Sequence, residues 1–402
     1  MKILVIGGGG REHAIAWRLA LEGHEIVCAP GNPGTAQFAA NYATTDYLSL
    51  ESDLTVVGPE APLVAGVVDQ FRALGRPIVG PTQDAARLEA TKIHSKEFMQ
   101  RVGIPTARFL RAQTAEEGLR ALDQFEYPVV VKTDGLAAGK GVVIAHDRAE
   151  AEAAIVSLGP RLILEEFLEG EEVSFMVLSD GVNVVPLEPT QDHKAVADGD
   201  TGPNTGGMGA YCDGRILASE VIGQIMDTVI EPAIRATGFT GFLYPGLMMT
   251  AVGPKVLEFN VRLGDPETQT LMHRLDDDFA GTLAQAASGA LKTRTLKWKK
   301  DPSVCVVMAA AGYPGQVRTG DLITGIEGCG TQVFQAGTRV GTRGLETAGG
   351  RVLGVTASGP DLSSAIANAY AGVGQIQFDG MHYRRDIGKK GLKRWYNEAS
   401  GT

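Results

Sequence analysis

Near its start the chain reads Lys2-Ile-Leu-Val-Ile6 and then runs directly into Gly7-Gly8-Gly9-Gly10. A short apolar run without alternation is what a strand needs when both faces of its sheet are covered, whereas a sheet with one wet face alternates. Helical spacing follows over Arg11–Leu21. The unit recurs: Glu25–Ala29, then Asp53–Gly58 ahead of a helix near Leu63–Leu74, then Pro77–Gly80. Strands alternating with helices predict a doubly wound parallel sheet over residues 1–90. Ligands are expected at the carboxyl ends of its strands.

From Thr91 the pattern changes. Lys92–Arg101 is helical, Gly103-Ile-Pro-Thr106 breaks it, and strands follow at Tyr127–Lys132, Gly141–Ala145 and Arg161–Glu165, with a helix at Ala149–Ser157. This predicts a small α+β lobe over about 108–180 inside a central unit spanning 91–300. Gln191–Met208 reads as polar loop, Ser219–Thr237 as helix, and Leu243–Thr250 and Lys255–Arg262 as strands. A charged connector, Lys297–Asp301, leads to a strand-rich unit over 301–402. Three units suit 402 residues at roughly 100–200 residues per domain.

The 37 basic and 47 acidic residues give a net charge of -10, which disfavours a nucleic-acid partner, because a phosphate polymer needs a basic face. A basic pocket for a small anion is still compatible with an acidic chain. The longest apolar runs fall far short of the ~20 residues of a membrane span. Met1–Gly10 reads as strand and turn, not as a secretory leader. Cys28, Cys212, Cys305 and Cys329 show no CxxC spacing, so neither a zinc knuckle nor a disulfide framework is expected, and a reducing cytoplasm fits.

The four glycines invite a dinucleotide reading, but a G-x-G-x-x-G frame from Gly7 meets Glu12 at its third glycine, and one from Gly8 meets His13. The second strand ends in Ala29-Pro30-Gly31-Asn32, with no acid for a ribose. Amides at a helix start remain a natural anion site; a simple tight turn is the alternative. Gly135-Leu-Ala-Ala-Gly-Lys-Gly141 fails the phosphate-loop pattern, since three residues separate its glycines and Gly141 replaces the metal-binding hydroxyl. It reads as a flap whose amides fold over a polyphosphate, or as a surface hairpin. Arg161–Glu172 is an apolar strand running into acids, suited to an adenine linker or to a solvated turn.

The richest constellation is Lys255-Val-Leu-Glu-Phe-Asn-Val-Arg-Leu-Gly-Asp-Pro-Glu267. A period of two puts Glu258, Asn260 and Arg262 on one face and Leu257, Phe259 and Val261 on the other. Carboxylate and amide oxygens suit Mg²⁺ shared with substrate phosphates. Arg262 suits a transferring phosphoryl group. A wet sheet face is the alternative. Asp200–Gly209 is a substrate loop or a connector, and Asp276-Asp277-Asp278 reads as a solvated helix face.

These segments, together with Gly-Gly-Arg-Glu-His-Ala (9–14), Ala-Pro-Gly-Asn-Pro-Gly-Thr (29–35), Val-Gly-Pro-Glu-Ala-Pro-Leu-Val (57–64), Gln-Asp-His-Lys (191–194) and Ala-Gly-Tyr-Pro-Gly (311–315), resemble the glycinamide ribonucleotide synthetases, an ATP-grasp family. The resemblance runs almost end to end. It implies a Rossmann-like N-terminal domain, a two-lobed ATP-grasp centre and a small C-terminal domain. It also implies ATP-driven ligation of glycine to 5-phosphoribosylamine through glycyl phosphate, in purine synthesis, with Mg²⁺ or Mn²⁺.

By the same resemblance Lys92, Lys132, Gly139, Lys140 and Gly141 contact ATP phosphates, Glu165, Glu166, Phe167 and Leu168 hold adenine, and Glu172 takes the ribose. Glu258 and Asn260 bind metal, with Asn260 also against ATP. Arg262, Lys132 and Asp265 are the implied catalytic residues. Gly9, Gly10, Arg11, Glu12, Asn32, Gly34, Glu60, Asp200, Asn204 and Gly206 are implied to hold the other substrates. A cytoplasmic monomer working on small molecules, with no nucleic acid and no membrane, is expected. The rivals are an ATP-grasp carboxylase or formate-dependent transformylase, a dinucleotide oxidoreductase and a non-catalytic nucleotide sensor. One departure stands out: Leu243–Thr250 carries no metal carboxylate.

Overall fold

The structure is a computed structural model that describes residues 1–136 and 141–395. At the N-terminus five parallel strands stand in the order Ala40–Asn41, Glu25–Pro30, Lys2–Gly7, Leu54–Val57 and Ile78–Val79. The central Lys2–Gly7 strand is buried from Leu4 to Ile6, as its unbroken apolar run requires. The helix expected near Leu63–Leu74 is two helices, Glu60–Val64 and Val67–Ala73, because Gly66 between them takes a left-handed φ of 83°.

The small lobe is a four-stranded antiparallel sheet in the order Phe109–Ala112, Leu162–Glu166, Val129–Thr133 and Val142–Ala145. Helices Ala115–Ala121 and Arg148–Leu158 cover it, and Leu122, Phe125, Val131, Ile155 and Leu164 give it a separate core. The lobe ends earlier than the expected 180: Glu171–Ser174 pairs with Thr240–Thr250, and so belongs to the large sheet.

That ten-stranded sheet joins the centre to the C-terminal unit without a break, since Gly209–Cys212 pairs with Ser303–Ala309. One apolar cluster carries Phe71, Phe259 and Leu353 together, so residues from all three units share a core. The polar stretch 191–208 is not a plain loop. It holds the strand Thr190–Asp192 and a hairpin of Ala195–Ala197 with Thr201–Asn204. Asp276 and Asp278 are exposed, as expected, but they precede a helix and do not form its face. Asp278 caps the helix Phe279–Ala287 through the Gly281 amide, and Asp277 accepts from Arg294 at 2.7 Å. Among the described residues no helix is long and apolar enough to cross a membrane.

Candidate active site

A cleft of about 650 Å³ lies between the small lobe and the large sheet, and all three units line it. One end is apolar, with Val130, Val142, Ile144, Phe167, Leu168, Met248 and Leu257. Leu257 was expected on the opposite face to Glu258. Instead Gly246 faces Glu258 while Leu247 faces Val256, so Leu257 is the extra residue of a β-bulge. The bulge turns its side chain onto Ala107, Leu168 and Met248. Phe259 and Val261 do lie in the core, as alternation predicts.

Next along the cleft come the ammonium groups. Helix Lys92–Val102 carries Lys92 and Lys96 one turn apart, on one face. Lys92 Nζ donates to the Gly135 carbonyl at 2.7 Å. The Glu165 carboxylate, 2% exposed, lies 2.9 Å from Lys96 Nζ and 3.0 Å from Lys132 Nζ. It therefore holds two lysines at the cleft wall, which leaves the main chain of this segment as the part expected to meet adenine. Burial pulls Lys96 down to about 8 against the opposing pull of Glu165. Glu172 is paired with Lys194 at 2.8 Å, which keeps its carboxyl below the usual range.

Glu258 and Asn260 face this cationic zone. Burial works to raise the Glu258 carboxyl, yet Lys194, Lys132, Lys92 and Arg262 outweigh it and keep the group anionic. Neither side chain is tied to a protein partner among the described residues. No cluster of three or more His, Cys, Asp or Glu side chains suited to a metal occurs there. One free carboxylate and one free amide oxygen do fit a hard divalent cation that completes its shell with phosphates and water, not one in a protein cage.

Beyond lies Arg262, between two acids: Nη2 is 2.8 Å from Glu89 Oε1 and Nε is 3.5 Å from Glu60 Oε2. Glu89 also accepts the Val261 amide at 2.8 Å, which ties the strand end to the helix Arg87–Ala90. Asp265 accepts from Gln269 at 2.7 Å and from Arg351 at 3.0 Å. Buried Glu267 accepts from Tyr244 at 2.7 Å and Ser174 at 3.1 Å.

The cleft thus gathers Arg11, Glu60, Lys92, Lys132, Gly141, Glu165, Glu166, Phe167, Leu168, Glu172, Asn204, Gly206, Glu258, Asn260, Arg262 and Asp265. Gly139 and Lys140 lie outside the described residues. Six expected substrate residues do not line it. Glu12 accepts the Gly9 amide at 2.6 Å and Arg11 Nε at 2.6 Å, so its carboxylate closes the helix start. Asn32 donates to the Gly8 and Gln335 carbonyls and accepts the Gly34 and Thr35 amides, knotting its own loop. Gly34 is packed on His13 and Gly10 on Gln269. A methyl on Gly9 would meet Glu12 Oε2 at 2.8 Å, with Asp265 Oδ2 next at 3.7 Å. Asp200 pairs with buried Arg384 at 2.7 Å, away from the cleft.

Sequence reasoning missed Glu89, Lys96, Asp192, Lys194, Glu267 and Arg351, all in the lining. The four-residue spacing from Lys92 could have flagged Lys96, and Glu267 stands in the same run as Asn260. Nothing local marks Arg351.

Residues 1–89, 90–268 and 303–390 match the phosphoribosylglycinamide synthetase N domain, ATP-grasp (A) domain and C domain. The chain is 46% identical to the phosphoribosylamine–glycine ligase of Vibrio cholerae serotype O1, over 98% of this chain and 99% of that one. It is also 46% identical to the ligase of Escherichia coli strain K12, over 99% and 100%. The crystal structure of phosphoribosylamine–glycine ligase from Thermotoga maritima matches with a TM-score of 0.87 at 34% identity, covering 96% of this chain and 100% of that one. The biotin carboxylase domain of a Hydrogenobacter thermophilus 2-oxoglutarate carboxylase shares the fold, with a TM-score of 0.74 at 18% identity over 95% and 91%. A three-part match in chain order, at such identity over nearly the whole length, leads to one conclusion: the chain belongs to the phosphoribosylglycinamide synthetase family of ATP-grasp enzymes.

Proposed function

We propose that the chain joins glycine to 5-phosphoribosylamine at the expense of ATP, giving glycinamide ribonucleotide, ADP and phosphate. One observation carries this reading. Lys92, Lys132, Lys194 and Arg262 surround an uncommitted carboxylate and amide, between an apolar slot at one end and an acid-lined chamber at the other. The slot, with Phe167, Leu168, Met248 and Leu257, takes the adenine, and Glu172 lies within reach of the ribose. The triphosphate then points at Lys92 and Lys132.

A carboxylate does not acylate an amine at neutral pH, because oxide is a poor leaving group. A glycine carboxylate oxygen therefore attacks the γ-phosphorus, and the bond to the ADP oxygen breaks. The amine of phosphoribosylamine then attacks the acyl carbon, phosphate departs with the C–O bond electrons, and the amine loses a proton. Lys132 and Arg262 neutralise the charge that builds on the transferred group, and preorganised cations in a water-poor cleft do this most effectively. A divalent cation, Mg²⁺ or Mn²⁺, held by Glu258 and Asn260 would supply further charge neutralisation at the phosphates. Alignment of three substrates supplies the rest. We take the enzyme to be a cytoplasmic monomer acting on small molecules, a reading supported by the family resemblance.

The test is ADP release and product formation with ATP, glycine and phosphoribosylamine, each omitted in turn. Product is expected only with all three present. ADP release driven by bicarbonate or formate in place of glycine would overturn the reading.

A further inference from the structure

We propose that Arg351 is a positioning residue for the acceptor amine, acting through Asp265 and the Gly206–Gly207 turn. The inference rests on the ligase reading above and adds to it a role for the C-terminal unit.

Arg351 opens the strand Arg351–Ser358, next to Ser303–Ala309 in the continuous sheet. From there its guanidinium crosses to two other segments. Nη1 donates to the Gly206 carbonyl at 2.5 Å and to the Asp265 carbonyl at 2.5 Å, and Nη2 donates to Asp265 Oδ2 at 3.0 Å. Both terminal nitrogens are therefore engaged by protein acceptors, so the residue shapes the wall more than it grips a ligand. The turn leaves little room for anything else. A methyl on Gly206 would meet Arg351 Cζ at 3.1 Å, and Gly207 has a φ of 111° with Pro266 Cδ 2.5 Å from where its methyl would sit. Tyr313, from the same unit, accepts the Gly206 amide at 3.1 Å through its hydroxyl. Gly206, Asp265, Tyr313 and Arg351 all line the cleft at the end away from Leu168 and Met248.

Asp265 is the group through which this matters. Burial works to raise its carboxyl, but Arg351 and then Arg11 outweigh it, so Asp265 stays ionised. Gln269 and Arg351 each take one lone pair, which leaves acceptor capacity on both oxygens for a donor in the cleft. An amine about to attack an acyl phosphate is such a donor. Loss of the guanidinium fork frees both Asp265 and the turn, and the amine loses its alignment. ATP, placed by the proposed function in the slot of Leu168 and Met248, should not depend on the fork.

The experiment compares wild type, Arg351→Ala and Arg351→Lys. For Arg351→Ala the KM for phosphoribosylamine should rise about tenfold or more while the KM for ATP stays within about twofold, which is the mark of a lost interaction confined to one substrate. ADP released per glycinamide ribonucleotide should rise above one, because an acyl phosphate that meets no amine is hydrolysed. Arg351→Lys keeps the charge without the fork and should recover only part of the effect. If Arg351→Ala fails to fold, Tyr313→Phe removes the other anchor of the turn and should show the same split more weakly. All KM values rising together, or ADP and product staying in equal amounts, would overturn the inference while leaving the ligase reading intact. A wild type that makes no glycinamide ribonucleotide would overturn that reading itself.

Discussion

Lys96 offers a test of the buried charge network that can be worked through in numbers. Its side chain is 2% exposed and is held by Glu165 at 2.9 Å and by Thr106 Oγ1 at 2.7 Å. Burial, opposed by Glu165, lowers its pKa from 10.5 to about 8. An unfolded chain keeps that proton up to about 10.5, so between the two values the unfolded state binds more protons and the native state gains stability as pH rises. The full gain is about 3 kcal/mol at 1.36 kcal/mol per unit, and about 2 kcal/mol of it falls between pH 7.5 and 9.5. Lys96→Met deletes the titration. Groups elsewhere contribute alike to both proteins and cancel in the difference. Calorimetric melting at the two pH values should show wild type gaining about 2–3 °C relative to the variant, at about 1.2 °C per kcal/mol for a chain of 402 residues. Parallel shifts, within about 1 °C, would mean that Lys96 is not a charged group held in the interior, and the two-lysine account of Glu165 would fall with it.

Arg262→Ala should lower turnover by about 10²–10³, the scale for losing a preorganised charge at the reacting group. It should also cost about 3–5 kcal/mol of stability by leaving buried Glu89 without its cation. Adding Glu89→Gln should restore the melting temperature and not the turnover; joint recovery would remove Arg262 from the chemistry. Glu258→Gln should raise the Mg²⁺ concentration needed for half-maximal ADP release, and an unchanged metal titration would argue against ligation there. Asp200→Asn should lower stability by less than about 1 kcal/mol through its partly exposed bond to Arg384, with substrate KM values unmoved. A selective rise in one KM would return Asp200 to the substrate site.

What could be read from the chain alone follows the range of the interaction. Strand and helix order, the flanking of 135–141 by strands, and the Glu258–Asn260–Arg262 row are set by neighbours a few residues away. The stretch 191–208 was misread because its polar, turn-rich composition hides a hairpin braced from outside: His382 Nε2 lies 2.8 Å from the Val196 carbonyl, and Lys390 donates to the Asp192 carbonyl at 2.6 Å. Leu257 was misplaced because a bulge depends on the partner strand as well as on its own residues. Glu12 and Asn32 stand in motifs as diagnostic as that of Arg11. Yet their side chains satisfy backbone groups, and only three-dimensional accounting separates those roles.

Charge sharing is the part that no linear reading supplies. A net charge of -10 says nothing of how the cleft is graded. Beside Lys132 one carboxylate, Glu165, serves two lysines. At the far end two carboxylates, Glu60 and Glu89, serve one arginine, while Asp265 pairs with Arg351. We propose that this difference in pairing draws phosphate to one side of the cleft and amines to the other. An enzyme that must bring a polyanion and an amine to the same carboxyl carbon needs that polarity. It is built from residues 60, 89, 96, 132, 165 and 262, whose pairings form only when the helices at 87–90 and 92–102 dock beside the strand at 253–260.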